Sequence, residues 1–363
     1  MTKQKQNQGF WYRCGICCLL IMLLGSLTAC GKSERREAES QQTEEEKIQI
    51  GMSFDSFVIE RWIRERDVFV SVAKELGAEV NVQNANGNLE EQRKQIEYFI
   101  DKGLDVIVIV CVDSEGLTEQ VKKAREKGIK VIAYDRLITG VEVDLYISFD
   151  NEKVGILMAE ALIEAGMAEK SVLMLGGPLT DNNVSLVEGG FRKVMEENSV
   201  SIVDSVHADS WRAEIAAEYI YDNVEIVDAA AAIMCGNDNI ATQVVSALAV
   251  TRLAGERPVV GQDADLEACQ RIVEGTQLMT VYKPVEKLAR QAAVCAVKLA
   301  KGEPLGEEAG MIESGGYQVP YVRLEPIAVT KENMNEEIIE SGFHRKDDVY
   351  RNLPAEEGSR TNQ

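Results

Sequence analysis

Histidine is nearly missing from this chain: of 363 residues only His207 and His344 carry an imidazole. Neither stands in an H-E-x-x-H pattern and no G-x-S-x-G occurs, so the sequence offers little to a metallohydrolase or a serine hydrolase. Gly176-Gly177-Pro178 lacks the spacing of a phosphate-binding loop, and no D-x-[DN]-x-[DN]-G run marks a calcium loop. Asp263 and Asp265 would suit paired-carboxylate hydrolysis, but neighbouring acids at a turn are common and the plainer reading is preferred. No catalytic residue, no metal and no cofactor is therefore expected. Positive charge is scarce as well: 39 Lys and Arg against 60 Asp and Glu leave a formal −21. That excludes a clustered basic surface for nucleic acid or anionic lipid, and the acidity is read as a source of solubility. The 45% of hydrophobic residues excludes a largely disordered chain, and the length favours two domains.

A long uncharged run occurs at the N-terminus, from Cys14 to Ala29, behind Lys3, Lys5 and Arg13. As a helix it would reach about 24 Å, short of the roughly 30 Å hydrocarbon core, so it reads as a secretory signal peptide over 1–29 rather than a permanent span. It ends Leu27-Thr28-Ala29-Cys30-Gly31, which resembles a bacterial lipoprotein box with Cys30 as the lipidated residue. Two acyl chains on one thiol give a stable anchor, so contact with the membrane is expected through lipid only, on the outer face of the cell membrane. Cleavage would remove three basic residues and no acid, which makes the mature chain more acidic still. Residues 30–46, including KSERREAESQQTEEE, read as a disordered tether. Cys14, Cys17 and Cys18 leave with the signal peptide. Cys111, Cys235, Cys269 and Cys295 are widely spaced and are read as small buried hydrophobes rather than disulfide partners or ligands.

From Lys47 onward, short branched apolar runs alternate with amphipathic stretches, the pattern of a doubly wound parallel sheet. Strands are expected at 48–54, 79–82, 106–110, 131–134 and 145–149. Helices between them run over 61–76, 89–102 and 116–127, each closed by a glycine (Gly77, Gly103, Gly128). The alternation resumes with a helix at 152–165, strands at 172–175, 202–206, 230–234, 259–261 and 279–282, and helices at 184–197, 212–221 and 239–253. The helix 285–301 follows a completed sheet and is expected to cross back. The fold class is thus α/β: two Rossmann-like lobes with parallel sheets joined by a three-crossing hinge. The first lobe is placed at 47–150 plus about 284–320, the second at 151–283 plus about 321–345, with a polar tail at 346–363.

In such sheets ligands sit beyond the carboxyl ends of the strands. The polar residues there are Asp55 with Arg61 and Trp62, Asp135 and Arg136, Asp150 and Asn151, Asp181 to Asn183, Asn237 to Asn239, Asp263 and Lys283. Acids, amides and cations with a few flat rings suit a monosaccharide, whose hydroxyls donate and accept and whose C–H face stacks. Trp62, Trp211 or Phe149 would supply the ring. A pentose of about ten heavy atoms bound at micromolar strength needs roughly −0.8 kcal/mol per atom, which demands near-complete enclosure. Duller roles compete: Asp135, Asp150 and Asp181 stand where helices begin and would serve as N-caps, and Trp62 on a helix would ordinarily be core. Lys283 precedes Pro284 at a strand-to-helix junction, which fixes its position.

These stretches resemble the D-xylose-binding proteins of ABC sugar transporters, within the type I periplasmic-binding fold. The resemblance runs from about 48 to 344 and is carried by Ile50-Gly51-Met52, Glu60-Arg61-Trp62, Asn84-Ala85-Asn86-Gly87-Asn88, Ala133-Tyr134-Asp135-Arg136, Tyr146 to Gly155, Asp181-Asn182-Asn183, Gly261-Gln262-Asp263-Ala264-Asp265-Leu266 and Thr280-Val281-Tyr282-Lys283-Pro284. It implies that Arg61, Asp135, Arg136, Asn183, Trp211, Asn237, Asp263 and Lys283 hold a pentose, with Trp62 stacking and Asp55, Phe149 and Asp181 as further candidates. It also implies an ABC permease and its ATPase as partners, and a monomer. The chain departs from the family pattern at Ser56, where a second acid is expected after the first-strand aspartate, and over 111–116, so xylose is favoured over glucose or ribose. The rival role is a sugar-sensing subunit for a membrane histidine kinase.

Overall fold

The computed structural model describes residues 47–306 and 309–354. The expected signal peptide, Cys30 and tether therefore lie outside the described residues, as does the end of the expected tail. The first lobe begins with β1 (Ile48–Phe54), α1 (Arg61–Glu75), β2 (Ala78–Asn84), α2 (Leu89–Lys102), β3 (Val106–Ile109), α3 (Thr118–Glu126), β4 (Lys130–Tyr134) and β5 (Leu145–Phe149). Strands β3 and β5 are buried along their whole length, which is why they read as unbroken apolar runs rather than alternating ones.

The chain then enters the second lobe through α4 (Asn151–Leu162), β6 (Ser171–Gly176), α5 (Asn182–Glu197), β7 (Ser201–His207), α6 (Glu214–Asp222), α7 (Val224–Ala229), β8 (Ala232–Cys235), α8 (Asp238–Val250), β9 (Val259–Gln262), α9 (Leu266–Glu274) and β10 (Met279–Tyr282). It returns through α10 (Val285–Ala300), which packs along α1, and adds the hairpin β11 (Gly310–Ser314) and β12 (Tyr317–Leu324) before β13 (Ile327–Val329) and α11 (Lys346–Val349). The strand orders are β11-β12-β5-β4-β3-β1-β2 and β13-β10-β9-β8-β6-β7. Pairing is parallel except in the β11–β12 hairpin and where β13 runs against β10. Three passages connect the sheets, after β5, β10 and β12, and two are laced together: Asp150 N donates to Leu324 O at 3.0 Å and Tyr321 Oη to Phe149 O at 3.1 Å.

Two boundaries need correction. Strand β12 stays in the first sheet to Leu324, so the last passage falls after that residue and not at 321. The tail expected to be polar from 346 begins with a packed turn: Val349 is buried and Gln270 Nε2 donates to Asp348 O at 2.8 Å. The amphipathic α9, the short α7 and the strands β11 to β13 have no counterpart in the sequence expectation. The four downstream cysteines are all buried.

Helices α4 and α5 approach so closely that a Cβ on Gly155 would lie 1.9 Å from Val187 O, and one on Gly190 2.1 Å from Glu152 O. Both glycines are therefore required by close approach. Helix starts at the cleft are capped by the acids and amides singled out above. Asp150 Oδ1 accepts from Lys153 N at 3.0 Å, Asp181 Oδ1 from Asn183 N at 3.0 Å and Asn237 Oδ1 from Ile240 N at 2.9 Å. Asp135 caps nothing; it sits in the left-handed region with φ 63°.

Candidate functional site

The strand ends of both lobes converge on one cavity. Arg61, Trp62, Asp135 and Arg136 line it from the first lobe, Asp181, Asn183, Trp211, Asn237, Gln262 and Asp263 from the second, and Lys283 from the passage after β10. All nine residues expected to hold the ligand are thus brought together, and Asp181 with them. Asp55 is not a wall of this cavity: it stands behind Arg136 and borders an outer groove at the cleft mouth. Phe149 is not a wall either, because β5 is interior; its ring centre lies 5.7 Å from the Arg61 guanidinium carbon. The expectation that Phe149 offers a stacking face is therefore corrected.

The charged groups are interlocked, and the locks cross the cleft. Arg136 donates through Nη1 to Asp55 Oδ2 at 2.9 Å and to Cys111 O at 3.0 Å, while its Nε lies 2.7 Å from Asp181 Oδ2 in the opposite lobe. Arg61 donates through Nη2 to Asp135 Oδ2 at 2.8 Å, and its Nη1 lies 3.7 Å from Asp263 Oδ1 across the cleft. Lys283 Nζ is 3.3 Å from the same Asp263 oxygen. Asn183 Nδ2 reaches back to Asp135 O and Oδ1, both at 3.1 Å, and is itself oriented by Asn151 Nδ2, which donates to Asn183 Oδ1 at 2.9 Å.

Burial and charge oppose one another at these groups. Burial works against the Asp135 carboxylate, yet Arg61, Lys283 and Arg136 outweigh it and hold its pKa below the usual value. At Asp181 burial wins over Arg136 and the pKa is raised. Just behind Asp263, burial pushes Asp238 up to about 7 although Thr280 Oγ1 and Gln277 Nε2 donate to it at 2.6 and 2.8 Å.

The aromatic rings divide the work differently from the expectation. Trp62 is 1% exposed, with the guanidinium carbons of Arg61 and Arg136 at 4.5 and 5.7 Å from its ring. Its π-face thus holds the two arginines in place. Trp211 follows Ser210, both with left-handed backbone, and its Nε1 donates to Asp181 Oδ2 at 3.3 Å. Its ring lies over Gly177, where a Cβ would come within 2.4 Å of it. Asp263 and Ala264 are also left-handed, at φ 98° and 55°. Non-glycine residues held there cost of order 1–3 kcal/mol each and mark functional loops.

Three polar residues were not among the expected ligand contacts, although Gln262 stands in the Gly261 to Leu266 stretch that carries the resemblance. Gln262 and Glu188 line the cavity, Glu188 with His207 Nε2 at 2.9 Å from its Oε1, and Glu65 lies buried behind Arg61. The signal was available for two of them: Glu65 and Glu188 fall among the apolar residues of the buried stripes of α1 and α5, one helical turn or so after Arg61 and Asn183. Among the described residues, Trp62 Nε1, Asn237 Nδ2 and Gln262 Oε1 are buried cavity atoms with no hydrogen-bond partner.

Two α/β lobes, three passages between them and one enclosed polar cavity at the strand ends define a two-lobed receptor for a small polar solute. Comparison with known proteins carries this further. The periplasmic binding protein domain matches residues 50–304. The D-xylose-binding periplasmic protein of Haemophilus influenzae is 41% identical over 339 residues, 91% of this chain and 98% of that protein. Its namesake in Escherichia coli is 40% identical over 312 residues, 84% of this chain and 93% of the relative. Among solved structures, a carbohydrate transporter solute binding protein of Chloroflexus aurantiacus in complex with D-glucose superposes with a TM-score of 0.76 at 26% identity, covering 83% of this chain and 98% of that one. The chain belongs to the periplasmic binding protein family, whose sugar-binding members are carriers and not enzymes.

Proposed function

We propose that this chain is the extracytoplasmic solute-binding component of an ABC importer, that it closes on a monosaccharide, D-xylose in preference to glucose or ribose, and that it hands the sugar to a permease driven by an ATPase. The observation that carries the reading is the cavity itself: buried donors and acceptors from both lobes, several unpaired, converge on one site between the strand ends. Two relatives at 40% identity or more carry D-xylose binding in their names, which supports the choice of pentose.

In this reading Arg61, Arg136 and Lys283 donate to ring and hydroxyl oxygens, and Asp135 and Asp263 accept hydroxyl protons. Asn183 and Asn237 do both, and Trp211 covers the C–H face. Trp62 acts through the arginines it supports. Because the ligand touches both lobes, it binds the closed arrangement better than an open one and shifts the population toward it. Cys30 anchors the protein through lipid, a role supported by the Leu27 to Gly31 stretch, and the protein works as a monomer.

Calorimetric titration of the mature protein with a panel of pentoses and hexoses tests this. The expected result is one site per chain, tightest for D-xylose, at micromolar strength or about −8 kcal/mol. Absence of heat with every monosaccharide would remove the receptor reading.

A further inference from the structure

Glu65 is the most deeply placed carboxylate in the first lobe: its side chain has no exposed surface and it lies one helical turn after Arg61 on α1. One carboxylate oxygen accepts from Arg61 Nε and the other from Tyr134 Oη on β4. The guanidinium is thereby gripped from behind, while its two outer nitrogens face Asp135 and Asp263 at the cavity wall. Glu65 is not itself a wall of the cavity.

We propose that Glu65 is a positioning residue that aims Arg61 into the cleft, and that the cleft holds sugar strongly only while the Glu65 carboxylate is ionised. This rests on the reading of the cleft as a monosaccharide site. The reason lies in hydrogen-bond capacity. An ionised carboxylate accepts from both Arg61 and Tyr134. A protonated one turns one oxygen into a donor, so either Arg61 Nε loses its acceptor or Tyr134 must reverse its hydroxyl, and in both cases the charge that grips the guanidinium is gone. An arginine released at Nε can rotate, and the geometry of its outer nitrogens is then no longer fixed.

The groups facing Glu65 are Arg61 on its own helix and, from β4 and the loop after it, Tyr134 and Asp135. Asp263 and Lys283 lie on the far side of Arg61. Burial pushes Glu65 up to about 7, against the opposing pull of Arg61. The sign follows: the ionised, gripping form prevails above that value and is lost as the pH falls through it. A protein whose competent fraction drops from about nine-tenths at pH 8 to about one-tenth at pH 6 binds roughly tenfold more weakly at the lower pH.

The test is D-xylose titration of the full mature protein at pH 6 and pH 8. The parent should bind about tenfold more weakly at pH 6. Glu65→Gln should bind about tenfold more weakly than the parent at pH 8 and show no pH dependence, whereas Glu65→Asp should restore part of both. Tyr134→Phe removes a donor that favours the ionised form, so its midpoint should move to higher pH. That variant keeps the proposal testable should Glu65→Gln fail to fold. A Glu65→Gln protein with parental affinity, or with the parental pH profile, overturns the proposal, as does an unmoved midpoint in Tyr134→Phe. A parent that binds with a flat profile sinks this inference alone; a parent that binds no monosaccharide at either pH sinks the receptor reading instead.

Discussion

Arg136 joins Asp55 of its own lobe to Asp181 of the other, and the two contacts respond differently when the lobes part. The Asp55 contact, at 2.9 Å, is internal to the first lobe, and the Asp181 contact, at 2.7 Å, joins the two lobes, so in the proposed opening the first is kept and the second is broken. Replacing Arg136 by Met keeps much of the apolar stem and removes the charge. Asp55 and Asp181, 6% and 2% exposed, are then left as buried acids with no cation between them. Removing one partner of a buried pair costs about 3–5 kcal/mol, chiefly because the remaining charge is stranded. An open form lets water reach Asp181 and relieves its share of that cost, so the penalty falls mainly on the closed form and hence on ligand affinity. A loss of about 3 kcal/mol weakens binding more than roughly hundredfold, while the unliganded protein should lose far less thermal stability. Calorimetry with D-xylose, paired with thermal unfolding without sugar, measures the two separately.

A second variant separates this account from simple loss of a sugar contact. Adding Asp181→Asn to Arg136→Met removes the stranded carboxylate and should regain about tenfold in affinity, because the two sites share one interaction and their effects do not add. Arg136→Lys should fall between, since an ammonium cannot serve two carboxylates and a carbonyl in the planar arrangement seen here. An Arg136→Met protein whose Kd stays within threefold of the parent, or a double variant no better than the single one, refutes the latch.

Gly177→Ala would place a Cβ 2.4 Å from the Trp211 ring; the ring must shift, and xylose affinity should fall about tenfold for a strain of roughly 1–3 kcal/mol, with a changed tryptophan emission, whereas unaltered affinity and emission would show that Trp211 does not depend on that seat. Gly155→Ala drives a methyl into Val187 O, and despite a gain in helix propensity of about 1 kcal/mol it should lower Tm by several degrees in a melting experiment; a rise would contradict the close packing of α4 on α5. Asp238 is raised from 3.8 to about 7 in the folded chain. Between those values the folded state therefore holds a proton that the unfolded state has lost, and stability from this group declines as pH rises from about 4 to 7 and is level above. Asp238→Asn should flatten that decline in Tm measured across the same range; an identical slope would assign the decline to other groups.

The lobes were legible because a buried parallel strand and an amphipathic helix leave opposite periodicities. Leu145–Phe149, Leu89–Lys102 and Met279–Tyr282 fall where the pattern places them. The strands at 310–314, 317–324 and 327–329 were not legible. Strands β11 and β13 are sheet edges and β12 lies next to one, and β11 buries little and carries no apolar run. Helix α9, with its buried Ala268, Cys269, Ile272 and Val273, carries a helical stripe that the sequence alone could have supported. The site residues were legible as a set because each stands just after a strand, at a position where a chain needs a cap or a turn. What each one does was not. Asp181 caps α5 with one oxygen and pairs with Arg136 through the other, and nothing local to Asp181 says so.

The same dual use explains why the receptor's charge arrangement is tied to its motion. In and around the cavity, Arg61, Arg136 and Lys283 face Asp55, Glu65, Asp135, Asp181 and Asp263, an excess of acids over cations among buried side chains. Burying more carboxylates than cations is unfavourable unless some take up protons or find further donors. Glu65 and Asp181, both raised, are placed to do the first. A sugar does the second, since its hydroxyls donate to carboxylates that the protein's own cations leave underserved. The closed cleft pairs Asp181 with Arg136 and Asp263 with Arg61 but still holds more carboxylates than cations, and a polyol supplies the remaining donors. The acid excess therefore biases the cleft toward closing only when it is filled, while Asp181→Asn, which removes the cross-cleft partner of Arg136, should close less readily, seen as a larger radius of gyration than the parent at subsaturating sugar.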